Sequence, residues 1–90
     1  MRPREQVIGT VCRRYGIDRA EFYRRTKVMP VREARQVAAL ILHEAGWSWR
    51  MIAEELRTSP SAAFNAARAA PPGAVAEIVA DLEAQEAIGA

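Results

Sequence analysis

Apolar residues recur at three- and four-residue spacing near the start of the chain, where Val7, Ile8, Val11, Cys12 and Tyr15 share one stripe. That period belongs to an amphipathic helix and not to a strand. Pro3 suits the first turn of this helix, and Gly16 can take the left-handed conformation that ends it. Asp18 followed by Glu21 makes a capping-box start for a second helix, which the pattern carries to about Arg25 with Phe22 turned inward. The stretch RRTKVMP then combines three bases, a β-branched pair and a proline, and reads as a loop.

A longer third helix is predicted from about Val31 to Ala45, with Ala34, Val37, Ala38, Ile41 and Ala45 on one face and Leu40 and Leu42 widening it. It is the element around which the others must pack, and Gly46 ends it. Ser48 can cap a fourth helix whose inner face is Trp49, Ile52, Ala53 and Leu56, and Ser59-Pro60 is a cap and first-turn pair for a fifth. In the fifth helix Ser61, Asn65 and Arg68 fall on one side, Ala63, Ala67 and Ala70 on the other, and Phe64 at the edge between them. After Pro71-Pro72-Gly73, residues 74–88 set Val75, Ile78, Val79 and Leu82 against Glu77, Asp81, Glu83 and Glu86. A sixth helix docking on the domain is expected there. The alternative is a helix for a protein partner or self-association.

The expected fold is therefore all-α, with five to six short helices around a central long helix. Residues 1–70 form the domain and residues 71–90 the break and acidic amphipathic helix. Only Arg57 and Thr58 separate the fourth and fifth helices, a spacing that matches a helix-turn-helix. Such short helix pairs also occur as plain bundle hairpins, so spacing alone leaves both readings open. Alanine is no handicap to a reading helix. Short side chains let it sit deep in a major groove, where a methyl can touch thymine and Asn or Arg can reach base edges.

Charge sharpens this picture. The net charge of the 90 residues is +2, but all 13 Lys and Arg lie in residues 1–70 against 7 acids, while residues 71–90 carry 4 acids and no base. Residues 11–36 hold 8 bases and 3 acids, a density suited to a polyphosphate partner or to a solvated helix surface. A chain this short buries only about 60 to 65% of the surface its unfolded form exposes, so most helices must share one core.

Other chemistry finds little support in the sequence. Cys12 and His43 are the only residues of their kinds, which leaves no internal disulfide and no zinc ligand set; Cys12 is expected to pack inward. No phosphate-cradling GxxxxGK loop, cofactor motif or convergent catalytic group occurs, so an enzyme is not expected. The longest apolar run, Val37 to Leu42, is too short to span a bilayer, and the start MRPREQ does not lead into a signal-type block. A cytosolic, nucleoid-associated location is the expectation.

Residues 11–68 resemble the C-terminal DNA-binding domain of the bacterial replication initiator DnaA. The likeness lies in the order of YGI before a short helix, a basic loop, Arg35-Gln36 opening a long helix, the serine-led helix from Ser48 to Leu56, and a final helix ending in Ala-Arg. The resemblance implies an all-helical domain with a helix-turn-helix, whose last helix enters the major groove of double-stranded DNA while a basic-loop arginine enters the minor groove. Carried over, the minor-groove position is Lys27 with Arg25 beside it, Arg35 and Gln36 contact phosphate, and Arg50 lies where the DNA backbone passes.

The reading end departs from that family. Ser59-Pro60-Ser61-Ala62 replaces Asp-His-Ser/Thr-Thr, the two glycines usual in the preceding turn are absent, and the connection is one residue shorter. The phosphate grip is thus expected to persist while recognition of the initiator's own site is lost or altered, with Asn65 and Arg68 completing the reading face. Lys27 lacks the planar fork of arginine. Small stand-alone domains of this kind occur among regulators of phage-like gene clusters, including activators of gene transfer agents, so transcription control is the expected role. The alternatives are a modulator that competes at a replication origin and an adaptor that binds protein only.

Overall fold

Three short polar side chains fix where helices begin. The Asp18 carboxylate accepts from the Glu21 N–H at 2.8 Å while Glu21 accepts from the Asp18 N–H at 3.2 Å, closing a capping box. The Ser48 hydroxyl accepts from the Met51 N–H at 3.1 Å, and the Ser59 hydroxyl from the Ala62 N–H at 3.1 Å. A computed structural model describes residues 2–24 and 28–89. These residues form six helices: α1 (Arg4–Tyr15), α2 (Arg19–Phe22), α3 (Val31–Glu44), α4 (Trp49–Leu56), α5 (Pro60–Ala69) and α6 (Pro72–Gly89).

Gly16 ends α1 with φ 65°, as its lack of a Cβ permits. The second helix is shorter than its pattern predicts. It stops at Phe22, where the buried ring anchors the chain, and not near Arg25. The sixth helix starts earlier than expected, at Pro72, whose missing N–H is harmless in a first turn.

Helix α3 touches all five other helices. Ala34, Val37, Ala38, Ala39, Ile41 and Leu42 are almost wholly buried, so this helix is apolar around most of its circumference. Val7, Ile8 and Val11 of α1, Phe22 of α2, Ile52 and Leu56 of α4, and Ile78 and Leu82 of α6 complete the core. Cys12 packs inward as expected, and burial pushes its thiol above the usual range, away from the reactive thiolate.

The acidic helix α6 belongs to this same core. Ile78 and Leu82 are buried against α1 and α3, with Val75 and Val79 packed beside them. The apolar stripe offered to a partner by residues 74–88 is thus occupied within the chain, and the chain turns back onto its own core at Ala70-Pro71, between α5 and α6. Polar ties follow: Gln85 donates to the buried Thr10 hydroxyl at 3.0 Å, Arg2 pairs with Glu86 at 2.8 Å, and Arg14 pairs with Glu77. Such exposed ion pairs add little stability, but they satisfy half of the four acids of α6 with bases from the start of the chain.

Two tyrosines bind the outer layers together. The Tyr15 hydroxyl donates to Glu33, and the Tyr23 hydroxyl donates to Glu55 at 2.7 Å. Burial and the carboxylate acceptors raise both phenols above their ordinary value of 10.0, so both remain proton donors in the neutral range.

Candidate nucleic-acid interface

Helix α5 has two faces, as its sequence predicts. Ala63, Ala67 and Ala70 are buried at 0, 4 and 8% exposure, whereas Ser61, Asn65 and Arg68 are exposed. The reason is steric. Alanine methyls let α5 lie close to α3 and α4, and α4 contributes its own small buried residue, Ala53. The polar ridge is then held outward by a packed underside.

The turn before α5 lacks glycine, yet it adopts the backbone that glycine normally supplies. Arg57 has φ 57° and ψ 49°, a left-handed conformation that costs an L residue about 1 kcal/mol or more. Three contacts hold it. The Thr58 N–H reaches the Ala53 carbonyl at 2.9 Å, the Arg57 guanidinium lies 4.8 Å from the Tyr23 ring centroid, and Arg35 donates to the Leu56 carbonyl at 2.6 Å.

Arg35 also has a role within the fold that the sequence reading did not anticipate. Its guanidinium also donates to the Phe22 carbonyl at 2.9 Å and lies 6.0 Å from the Phe22 ring centroid. It clamps the ends of α2 and α4 to α3. Main-chain carbonyls near helix ends lack helical partners, and a planar fork can satisfy two of them at once.

Arg35 nevertheless forms part of a cleft of about 400 Å³ between α3 and α5, walled also by Arg32, Gln36, Thr58, Ala62 and Asn65. The structure thus brings together four residues singled out in the sequence, Arg35, Gln36, Ala62 and Asn65, in one groove. Arg32 is an addition. It is exposed and makes no ion pair among the described residues, which leaves its charge available to an anion in the cleft. Its signal was present as helical spacing, since Arg32 precedes Arg35 and Gln36 by three and four positions.

The remaining candidates are dispersed around this groove. Arg68 lies 5.6 Å from the Phe64 ring centroid and borders the ridge. Arg50 projects from α4 into solvent, 3.7 Å from Glu54, which offsets its charge. Ser59 is exposed, but its oxygen serves the cap of α5. Arg25 and Lys27 lie outside the described residues.

Trp49 packs against the margin of the core and is not enclosed by it. It is half-buried, stacked on His43 with ring centroids 3.9 Å apart and meeting Phe64 edge-on at 5.3 Å. Among the described residues no group of three His, Cys, Asp or Glu side chains is placed to hold a metal ion, and no helix is long and apolar enough to cross a membrane. Comparison of the chain with protein-family models, with curated proteins and with solved structures gives no match.

Proposed function

We propose that this protein is a double-stranded DNA-binding regulator of transcription, in which α4 and α5 act as a helix-turn-helix, α5 enters the major groove and the basic segment around Lys27 reaches the minor groove. The observation that carries this reading is the division of α5. Its Ser61, Asn65 and Arg68 ridge faces out over an alanine underside, beside a cleft that contains Arg32, Arg35 and Gln36.

Three further features support it. Ten residues of helix are about 15 Å long, and alanine at half of the positions keeps the rod slim enough for a groove about 12 Å wide. No acid occurs from Arg57 to Ala76, so nothing on α5 repels phosphate. Arg24, Arg32 and Arg57 form no ion pair with a carboxylate among the described residues and can neutralise the nucleic-acid backbone, which positions the domain without choosing sequence. The likeness of residues 11–68 to the initiator's DNA-binding domain supplies the docking mode, and the altered residues 59–62 indicate a different target.

The test is binding to a mixed pool of labelled duplexes across a salt series. The expected slope of log affinity against log salt is roughly −4 to −7, at about −0.9 for each phosphate neutralised, with enriched sequences recovered from the bound fraction. A flat salt response with no enrichment contradicts the reading and favours an adaptor that binds protein only.

A further inference from the structure

A second depression lies on the other side of Asn65. It measures about 420 Å³ and is walled by Trp49, Pro60, Ser61, Phe64 and Asn65. Phe64 is 42% exposed and leaves part of its ring at the surface. The rings are held in place. Trp49 is stacked on His43 with an interplanar angle of 15° and meets Phe64 at 87°, so the wall is braced from α3 through α4 to α5.

The lining combines apolar surface with two polar groups, the Ser61 hydroxyl and the Asn65 amide, both members of the outward ridge. No carboxylate lines it, and the Arg68 guanidinium stands over Phe64. An apolar notch framed by neutral hydrogen-bonding groups and a cation fits an apolar group carried on a polyanion. On the major-groove edge of unmodified DNA the one apolar group is the C5-methyl of thymine, and an asparagine amide pairs with N6 and N7 of adenine.

Resting on the DNA-binding reading above, we infer that the notch between Trp49 and Phe64 receives a pyrimidine C5-methyl, that of a thymine, while Asn65 reads an adenine of the same or the adjoining base pair. Phe64 is then a specificity-determining residue and the alanine-rich helix reads an A·T-containing step.

The experiment takes the duplex that the protein enriches from a random pool and replaces each thymine in turn by deoxyuridine, which removes only the methyl. Affinity is expected to fall about fourfold at one or two positions, the worth of one buried methyl. In Phe64→Ala that dependence is expected to disappear, and in Phe64→Leu, which restores an apolar wall, to return in part. Circular dichroism of both variants checks that α5 remains helical, as alanine and leucine both favour. Methylating the cytosines of the same duplex distinguishes the other source of a C5-methyl and is expected to leave affinity unchanged. Deoxyuridine without effect at every position, a methyl dependence that survives in Phe64→Ala, or a gain on cytosine methylation in place of a loss with deoxyuridine each overturns the notch assignment while duplex binding stands. Absence of binding to any duplex overturns the DNA-binding reading itself, and the notch assignment falls with it.

Discussion

Replacing Arg35 by alanine is expected to lower the unfolding free energy by about 3 kcal/mol or more, from two hydrogen bonds to a charged donor at about 1.5 to 3 kcal/mol each. The loss is concentrated at the turn between α4 and α5. Without the guanidinium, the carbonyls of Phe22 and Leu56 lose their donor, and Arg57 loses one of the contacts that hold it at φ 57°. Urea denaturation followed by circular dichroism measures the effect as a lower midpoint with the slope unchanged. Arg35→Lys is expected to recover less than half, because one ammonium does not match two carbonyls with the geometry of a planar fork. A stability within about 0.5 kcal/mol of the parent, combined with weaker DNA binding, would return Arg35 to the role of a simple phosphate contact.

Truncation after Pro71 is expected to unfold the domain at room temperature. Burial of Ile78 and Leu82, with partial burial of Val75 and Val79, corresponds to about 6 kcal/mol of gross hydrophobic stabilisation. A 90-residue domain has a total stability of roughly 5 to 13 kcal/mol. Loss of α6 also uncovers the parts of α1 and α3 beneath it and removes the partners of Arg2, Arg14 and Thr10. The far-ultraviolet spectrum of residues 1–71 should show little helix and no cooperative melting. A truncated chain that retains a sharp transition would mean that residues 1–70 form an independent unit, as the sequence break suggests.

Much of this architecture is legible in the sequence because its determinants are local. A cap hydroxyl and the N–H that it satisfies lie three residues apart, so Asp18, Ser48 and Ser59 announce helix starts without knowledge of the rest of the chain. The two faces of α5 follow from spacing alone, since alanines at 63, 67 and 70 must share a side. The buried stripe of α6 is similarly plain, although periodicity does not say what covers it.

Long-range contacts are where local reading fails. Arg35 takes its acceptors from residues 13 and 21 positions away, and a charged residue beside a glutamine looks the same whether it faces a phosphate or a carbonyl. Trp49 sits at a position that its own helix assigns to the inside, but His43 of α3 and Phe64 of α5 provide a surface stack for it. Arg57 adopts a glycine-like conformation because Tyr23, Ala53 and Arg35 converge on its turn, and no pattern within the turn reveals that. The early end of α2 is a case of too few residues, since one turn of helix carries no period to extrapolate.

The division of labour between Asn65 and Arg32 is the most direct measure of whether α5 reads DNA. Duplexes selected from a random pool by the parent protein, by Asn65→Ala and by Arg32→Ala should be compared for base preference and salt slope. Asn65→Ala is expected to change the preferred base at one or two neighbouring positions, with about 5- to 150-fold loss of discrimination there. Arg32→Ala should keep the parent's preferences, weaken binding to all duplexes alike and flatten the salt slope by about one. Identical preferences and slopes for all three proteins, or no retained duplex for any of them, would contradict the assignment of α5 to the major groove.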